Sequence, residues 1–89
     1  MRIYMQSPAG PAEAPRYCQL LLQQDLLGGW TLLRELGQPG GRVTLKREQF
    51  LDLKDAQAAF ERARDQQLKK GFRVTFLQGA DAHEAALRH

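Results

Sequence analysis

The chain has 89 residues, with 13 Lys and Arg against 10 Asp and Glu and a formal charge of +3. That is room for one small domain, which buries roughly 60 to 65% of the surface of its unfolded chain. It allows a binding surface and leaves little for a deep catalytic cleft, and so mild a charge excess is far from a basic tail.

Residues 1–15 read as an N-terminal arm, extended or partly disordered. MRIYMQ has the makings of a short strand or a loose end, and QSPAGPAEAP, residues 6–15, carries three of the four prolines. Proline lacks a backbone donor, so this stretch is expected to stay extended and the domain proper to start near Arg16. From Arg16 to Gln24, RYCQLLLQQ places Cys18, Leu20 and Leu22 on one face at period two, with Gln19 and Gln23 on the other. That predicts a strand. In DLLGG, Gly28 and Gly29 are suited to reverse the chain with positive φ, giving a hairpin whose second strand runs from Trp30 to about Leu36.

Next comes RELGQPGGRV, residues 34–43, with three glycines and a proline in ten positions. After it, RVTLKREQF mixes β-branched and apolar residues with charge, predicting a third strand from about Arg42 to Phe50. The period then changes. Asp52 is a candidate N-cap, Asp55 suits the positive helix end, and Ala56, Ala59, Phe60 and Ala63 recur at helical spacing. Lys69, Lys70 and Gly71 form the stop signal. FRVTFL, residues 72–77, alternates Phe72, Val74 and Phe76 against Arg73 and Thr75, as a fourth strand would. The tail, residues 78–89, is expected to form a helical turn or two after Asp81, or to fray. The fold class is therefore α+β: a small, mainly antiparallel sheet with one long helix packed across it, over residues 16–77.

No catalytic or metal constellation assembles from this order. A Walker-type phosphate cradle needs glycines followed by Lys-Ser or Lys-Thr between a strand and a helix, whereas Gly37, Gly40 and Gly41 lie between two strands. Metal binding needs three or four converging ligands, and the only histidines, His83 and His89, lie in the tail. Cys18 is the only cysteine, which rules out an intramolecular disulfide and suits a reducing compartment, and its strand phase points it into the core. Asp52 and Asp55 are explained by capping. Glu61 and Asp65 are spaced for surface ion pairs with Arg62, Arg64 and Lys69. No cofactor, metal or small-molecule substrate is expected, and the chain reads as non-enzymatic.

No apolar run reaches the roughly 18 residues of a membrane span, and MRIYMQSPAG lacks a signal-peptide apolar stretch, so the expected setting is the cytoplasm, away from any membrane. The basic residues are more informative. Arg34, Arg42, Lys46 and Arg47 flank the glycine loop and would concentrate positive charge at one end of the sheet, with Lys69 and Lys70 either joining them or only capping the helix.

The order of these parts resembles the WGR domain, a family named for a Trp-Gly-Arg triplet and found in poly(ADP-ribose) polymerases and as short stand-alone bacterial proteins. The resemblance covers about residues 16–77. It rests on GGW at Gly28 to Trp30, Gly37 with Gly40, Phe50, Phe60 and KKGF at Lys69 to Phe72. It implies DNA binding near nicks or ends through the triplet loop, without ADP-ribosyl transfer, since the catalytic domain is absent. Here the triplet positions hold Leu36, Gly37 and Gln38. Leucine lacks the flat ring that stacks on a sugar or base, and glutamine brings no charge to a phosphate.

The expected function is a small binding module for DNA or another nucleic acid, through residues 36–42 and flanking basic residues. Its expected contacts are Arg34, Leu36, Gly37, Gln38, Arg42, Lys46, Arg47, Lys69 and Lys70. The alternative is a protein-interaction module that has lost DNA binding, with Leu36 and Pro39 as an apolar rim.

Overall fold

In the computed structural model, residues 1–8 and 14–79 are described. Five strands and one helix follow in the order β1 (Arg2–Gln6), β2 (Tyr17–Gln24), β3 (Trp30–Gly37), β4 (Val43–Phe50), α1 (Leu53–Lys69) and β5 (Arg73–Gln78). The strands form one sheet in the order β4-β3-β2-β1-β5, with every neighbouring pair antiparallel. The helix packs across one face, touching β2, β3 and β4. This is the α+β architecture read from the sequence. Among the described residues no helix is long and apolar enough to cross a membrane.

At the start of the chain, the strand is the one of the two readings of MRIYMQ that is found, and the expected domain start near Arg16 comes too late. Residues 2–6 are not part of an arm but a strand inside the sheet, paired on one side with β2 and on the other with β5. Ile3 and Met5 are buried in the core, Met5 completely. The domain therefore begins well before Arg16. Its alternation had been masked by the prolines that follow, yet Ile3 and Met5 sit at the period-two spacing of a half-buried strand. The proline-containing stretch is the connection from β1 to β2, anchored where the Ser7 N–H donates to the Arg16 carbonyl at 2.9 Å and the Arg16 N–H to Ser7 Oγ at 2.9 Å.

Directly opposed residues of an antiparallel pair share a face, so the register sorts the side chains. Toward the helix point Ile3 and Met5, Cys18, Leu20 and Leu22, then Trp30, Leu32, Arg34 and Leu36, then Thr44, Lys46, Glu48 and Phe50. The helix answers with Ala56, Ala59, Phe60 and Ala63, all buried; three alanines let its axis come close to the sheet while Phe60 fills the remaining depth.

At the last strand the expected alternation fails midway. Phe72 is buried ahead of β5, but Phe76 is 49% exposed. The register shifts between Tyr4 and Met5, which pair with Phe76 and Val74, so Thr75 is the extra residue of a bulge. One inserted residue moves everything beyond it to the other face. Thr75 Oγ1 holds the bulge by donating to the Tyr4 carbonyl at 3.2 Å, and Leu77 rather than Phe76 packs toward the core.

The helix ends differ in how they are closed. Asp52 occupies the N-cap position but makes no side-chain capping bond, so the expected cap is positional only. At the other end Gly71 has φ of 95°, its N–H donates to the Leu68 carbonyl at 3.0 Å, and the Phe72 N–H to the Gln67 carbonyl at 3.0 Å. That pair of bonds is a Schellman closure. The expected tail helix and the two histidines lie outside the described residues.

Candidate nucleic-acid interface

The glycine loop is a compact hairpin turn. β3 and β4 are paired as far as Gly37 and Val43, leaving residues 38–42 to reverse the chain. Gln38 accepts a bond at 2.9 Å from the Gly41 N–H, with Pro39 next and Gly40 at φ of 74°. Proline followed by a positive-φ glycine is the composition a type II turn requires. Gly37 is needed for another reason: a Cβ built on it would lie 2.9 Å from the Arg42 carbonyl oxygen and 3.1 Å from Val43 Cγ2. It is buried and has no space for a side chain. The first hairpin divides its glycines in the same way. Gly28 takes φ of 90°, while a Cβ on Gly29 would lie 2.9 Å from the Phe50 carbonyl oxygen. Only one of those two supplies the positive φ expected of both.

The expected contact residues separate into three groups. Arg34 and Lys46 oppose each other on the helix-side face, whereas Arg47, opposite Leu33, points to the other face. The four flanking basic residues thus do not make one patch. Arg34 is half-buried and ion-paired with Glu48, which removes most of its charge from any outside ligand. Leu36 packs against the core beside Cys18, so it is neither a free contact for a sugar nor an exposed rim with Pro39. Gln38, partly exposed, and Arg42, exposed, belong to the turn itself.

Lys69 and Lys70 join the loop. The helix starts beside the end of β4 and finishes beside the start of β5, whose Arg73 pairs with Gln6. Gln6 pairs with Tyr17, and Tyr17 with Gly37, so the helix C-terminus and residues 38–42 share one end of the domain. Five exposed basic residues lie at that end, spread across the width of the sheet from Arg42 in the turn, through Arg16, to Lys69, Lys70 and Arg73 leading into the β5 edge. Arg73 was missed in the sequence because it reaches this end only through β1, which bridges β2 and β5, whereas Arg16 follows from the β2–β3 hairpin, whose register sets Tyr17 opposite Gly37. Asp25, Asp52 and Asp55 lie at the opposite end, in the first hairpin and the start of the helix. Arg2, Lys54 and the N-terminal amine lie at that end too, so charge there is mixed, while the basic residues at the loop end are not interleaved with these aspartates.

Beneath the basic end, between helix and sheet, is a hollow of about 130 Å³ lined by Cys18, Leu36, Thr44, Lys46, Ala63 and Gln67, among others. Burial pushes the Cys18 thiol up to about 11, against the opposing pull of Arg34 and Lys70. It remains protonated at neutral pH and is no nucleophile. Among the described residues no group of His, Cys, Asp and Glu is placed to hold a metal ion.

The far end carries a different surface. Leu26, Leu27 and Leu51 are almost fully exposed around the first hairpin. Asp25 shapes that hairpin, its Oδ1 accepting from the Leu27 and Gly29 N–H groups at 2.9 Å each. Comparison with protein-family models, with curated proteins and with solved structures found no match for this chain.

Proposed function

We infer that this is a non-enzymatic, WGR-like binding module of the cytoplasm, which binds DNA or another nucleic acid through phosphates at its basic end. The observation carrying this reading is the placement of Arg16, Arg42, Lys69, Lys70 and Arg73 at the one end of the sheet that holds the turn at residues 38–42, spread from that turn to the β5 edge. A duplex is drawn to an end that presents several exposed cations. Lys46 extends the positive surface along the helix side, and Gln38 offers an uncharged hydrogen bond to the backbone. With Leu36 packed inward and no arginine at position 38, the contact is to phosphates rather than base edges, so binding is weak, salt-dependent and indifferent to sequence.

Anisotropy titration of nicked and blunt duplexes tests this at about 50 mM and about 200 mM salt, a range over which phosphate-mediated binding weakens sharply. Binding at low salt that collapses at high salt, and is lost in Arg42→Glu plus Lys46→Glu, is the expected result. Equal binding by that double variant would remove the basic end from the interface.

A second reading, docking of a protein partner, is favoured by the exposed Leu26, Leu27 and Leu51 rather than by the loop. Partner binding insensitive to salt and abolished by Leu27→Asp would identify it.

A further inference from the structure

The helix covers one face of the sheet and leaves the other open. On that open face the register aligns three aromatic rings across neighbouring strands: Tyr17 on β2, Tyr4 on β1 and Phe76 on β5. Phe76 stands directly opposite Tyr4, and Tyr17 is diagonal to it, with the two tyrosine rings stacked at 5.7 Å and 10° between planes. Phe76 reaches this face only because the Thr75 bulge moves it there. Without the bulge it would have pointed to the helix side, where Phe72 is already buried.

What surrounds the row is also ordered. Arg2, Arg47 and Arg73 are exposed and share the open face, by their pairing with Leu21, Leu33 and Gln6. Glu35 is the one acidic residue on it among the described residues, and Gln6, Gln19, Gln23, Gln49 and Gln78 supply amides. Burial and the neighbouring Glu35 carboxylate raise the Tyr17 phenol above its ordinary value, so the ring is neutral at physiological pH.

We propose that the open sheet face is a platform for single-stranded nucleic acid, whose bases stack on Tyr17, Tyr4 and Phe76 while its phosphates follow Arg2, Arg47 and Arg73. The alternation of ring centre and cationic rim is what an unpaired strand offers in reverse: flat bases inside, charge outside. Amides and the Glu35 carboxylate face base edges, which carry both donors and acceptors. A duplex cannot use this surface, because its bases are already stacked on one another. This site lies on the other face from the helix-side hollow; it shares Arg73 with the basic end, but its aromatic rings take no part in the duplex reading.

A labelled oligothymidine of about 12 nucleotides, long enough to cross the sheet, is the probe, and Tyr17→Leu and Phe76→Leu are the variants. Leucine keeps an apolar side chain on the strand and removes only the ring. The expected result is a loss of about fivefold or more in affinity for each variant, with duplex binding unchanged. Amide NMR shifts on adding the oligonucleotide to the unaltered protein should map to β1, β2 and β5, a readout that needs no variant. Wild-type affinity in both leucine variants, or shifts confined to residues 38–42, would overturn the proposal. So would sedimentation as a dimer that excludes the oligonucleotide, which would assign the face, with its shallow hollow of about 100 Å³ among Leu21, Leu33 and Leu45, to a second copy of the chain.

Discussion

Gly37 lies so close to Arg42 that a methyl group on the glycine would lie 2.9 Å from the arginine's carbonyl oxygen. That oxygen is backbone, part of a paired hairpin, and cannot turn aside as a side chain would. Gly37→Ala is therefore expected to cost about 1–3 kcal/mol, as overpacking of a tight site does. Urea unfolding of the variant measures it, and a neutral effect would mean that the two strands separate more readily than their pairing suggests.

Gly71 makes a different demand. Its φ of 95° closes the helix, and nothing lies within 4 Å of a Cβ placed there. Gly71→Ala should lose about 1–2 kcal/mol through backbone strain alone, and Gly71→Asn distinctly less, since asparagine tolerates left-handed backbone. Equal stability of all three proteins would show that the Schellman closure contributes nothing.

Met5 has no exposed surface and lies in a strand that pairs on both sides. Met5→Ala is expected to cost about 2–5 kcal/mol, a large share of what so small a domain has. Deleting residues 1–6 should leave no cooperative thermal transition, because β5 loses its only partner. A deletion variant that still melts sharply would contradict the central placement of β1.

Cys18 connects stability to alkaline pH. Its ordinary value is 9.0 and burial raises it to about 11 in the folded protein, so the unfolded chain releases the proton first. Its stabilising contribution is thus intact below pH 9 and is lost as the pH rises toward 11, by on the order of 2–3 kcal/mol. Unfolding free energies measured across that window should fall more steeply for the unaltered protein than for Cys18→Ala, whose cavity cost is independent of pH. At neutral pH a thiol reagent should modify Cys18 only after denaturation. Rapid labelling of the native protein would show the thiol to be accessible.

Legibility in the sequence followed how local each signal was. Cys18, Leu20 and Leu22 announced their strand by alternation, and Ala56, Ala59, Phe60 and Ala63 their helix by period, because both patterns need only near neighbours. The role of Met1 to Gln6 was hidden: a six-residue stretch ahead of three prolines takes its status from partners far along the chain. The Thr75 bulge was hidden too, since Phe72, Val74 and Phe76 alternate in sequence and the extra residue shows only against the regular partner strand β1. As for the candidate site, the loop's turn chemistry could be read from Pro39 and Gly40. The faces of Arg34, Lys46 and Arg47 could have been separated by counting strand phase from Phe50. Arg16 could have been placed beside the loop by counting pairs from the first hairpin, while the placement of Arg73 at that end could not, because it exists only through the strand order.

That strand order also constrains how the protein comes into being. β1 precedes the other described elements but one of its two neighbours, β5, follows the other four strands and the helix, and Tyr4 waits for Thr75 to complete its hydrogen bonding. During synthesis the β2-β3-β4 meander can assemble as it leaves the ribosome, while the opening strand keeps one unsatisfied edge until residue 78 has emerged. Contacts this distant in sequence slow folding, so the rate-limiting event should be the return of the last strand to the first. In the interval, the open edge of the strand bearing Ile3 and Met5 is the part of the nascent chain most in need of a chaperone.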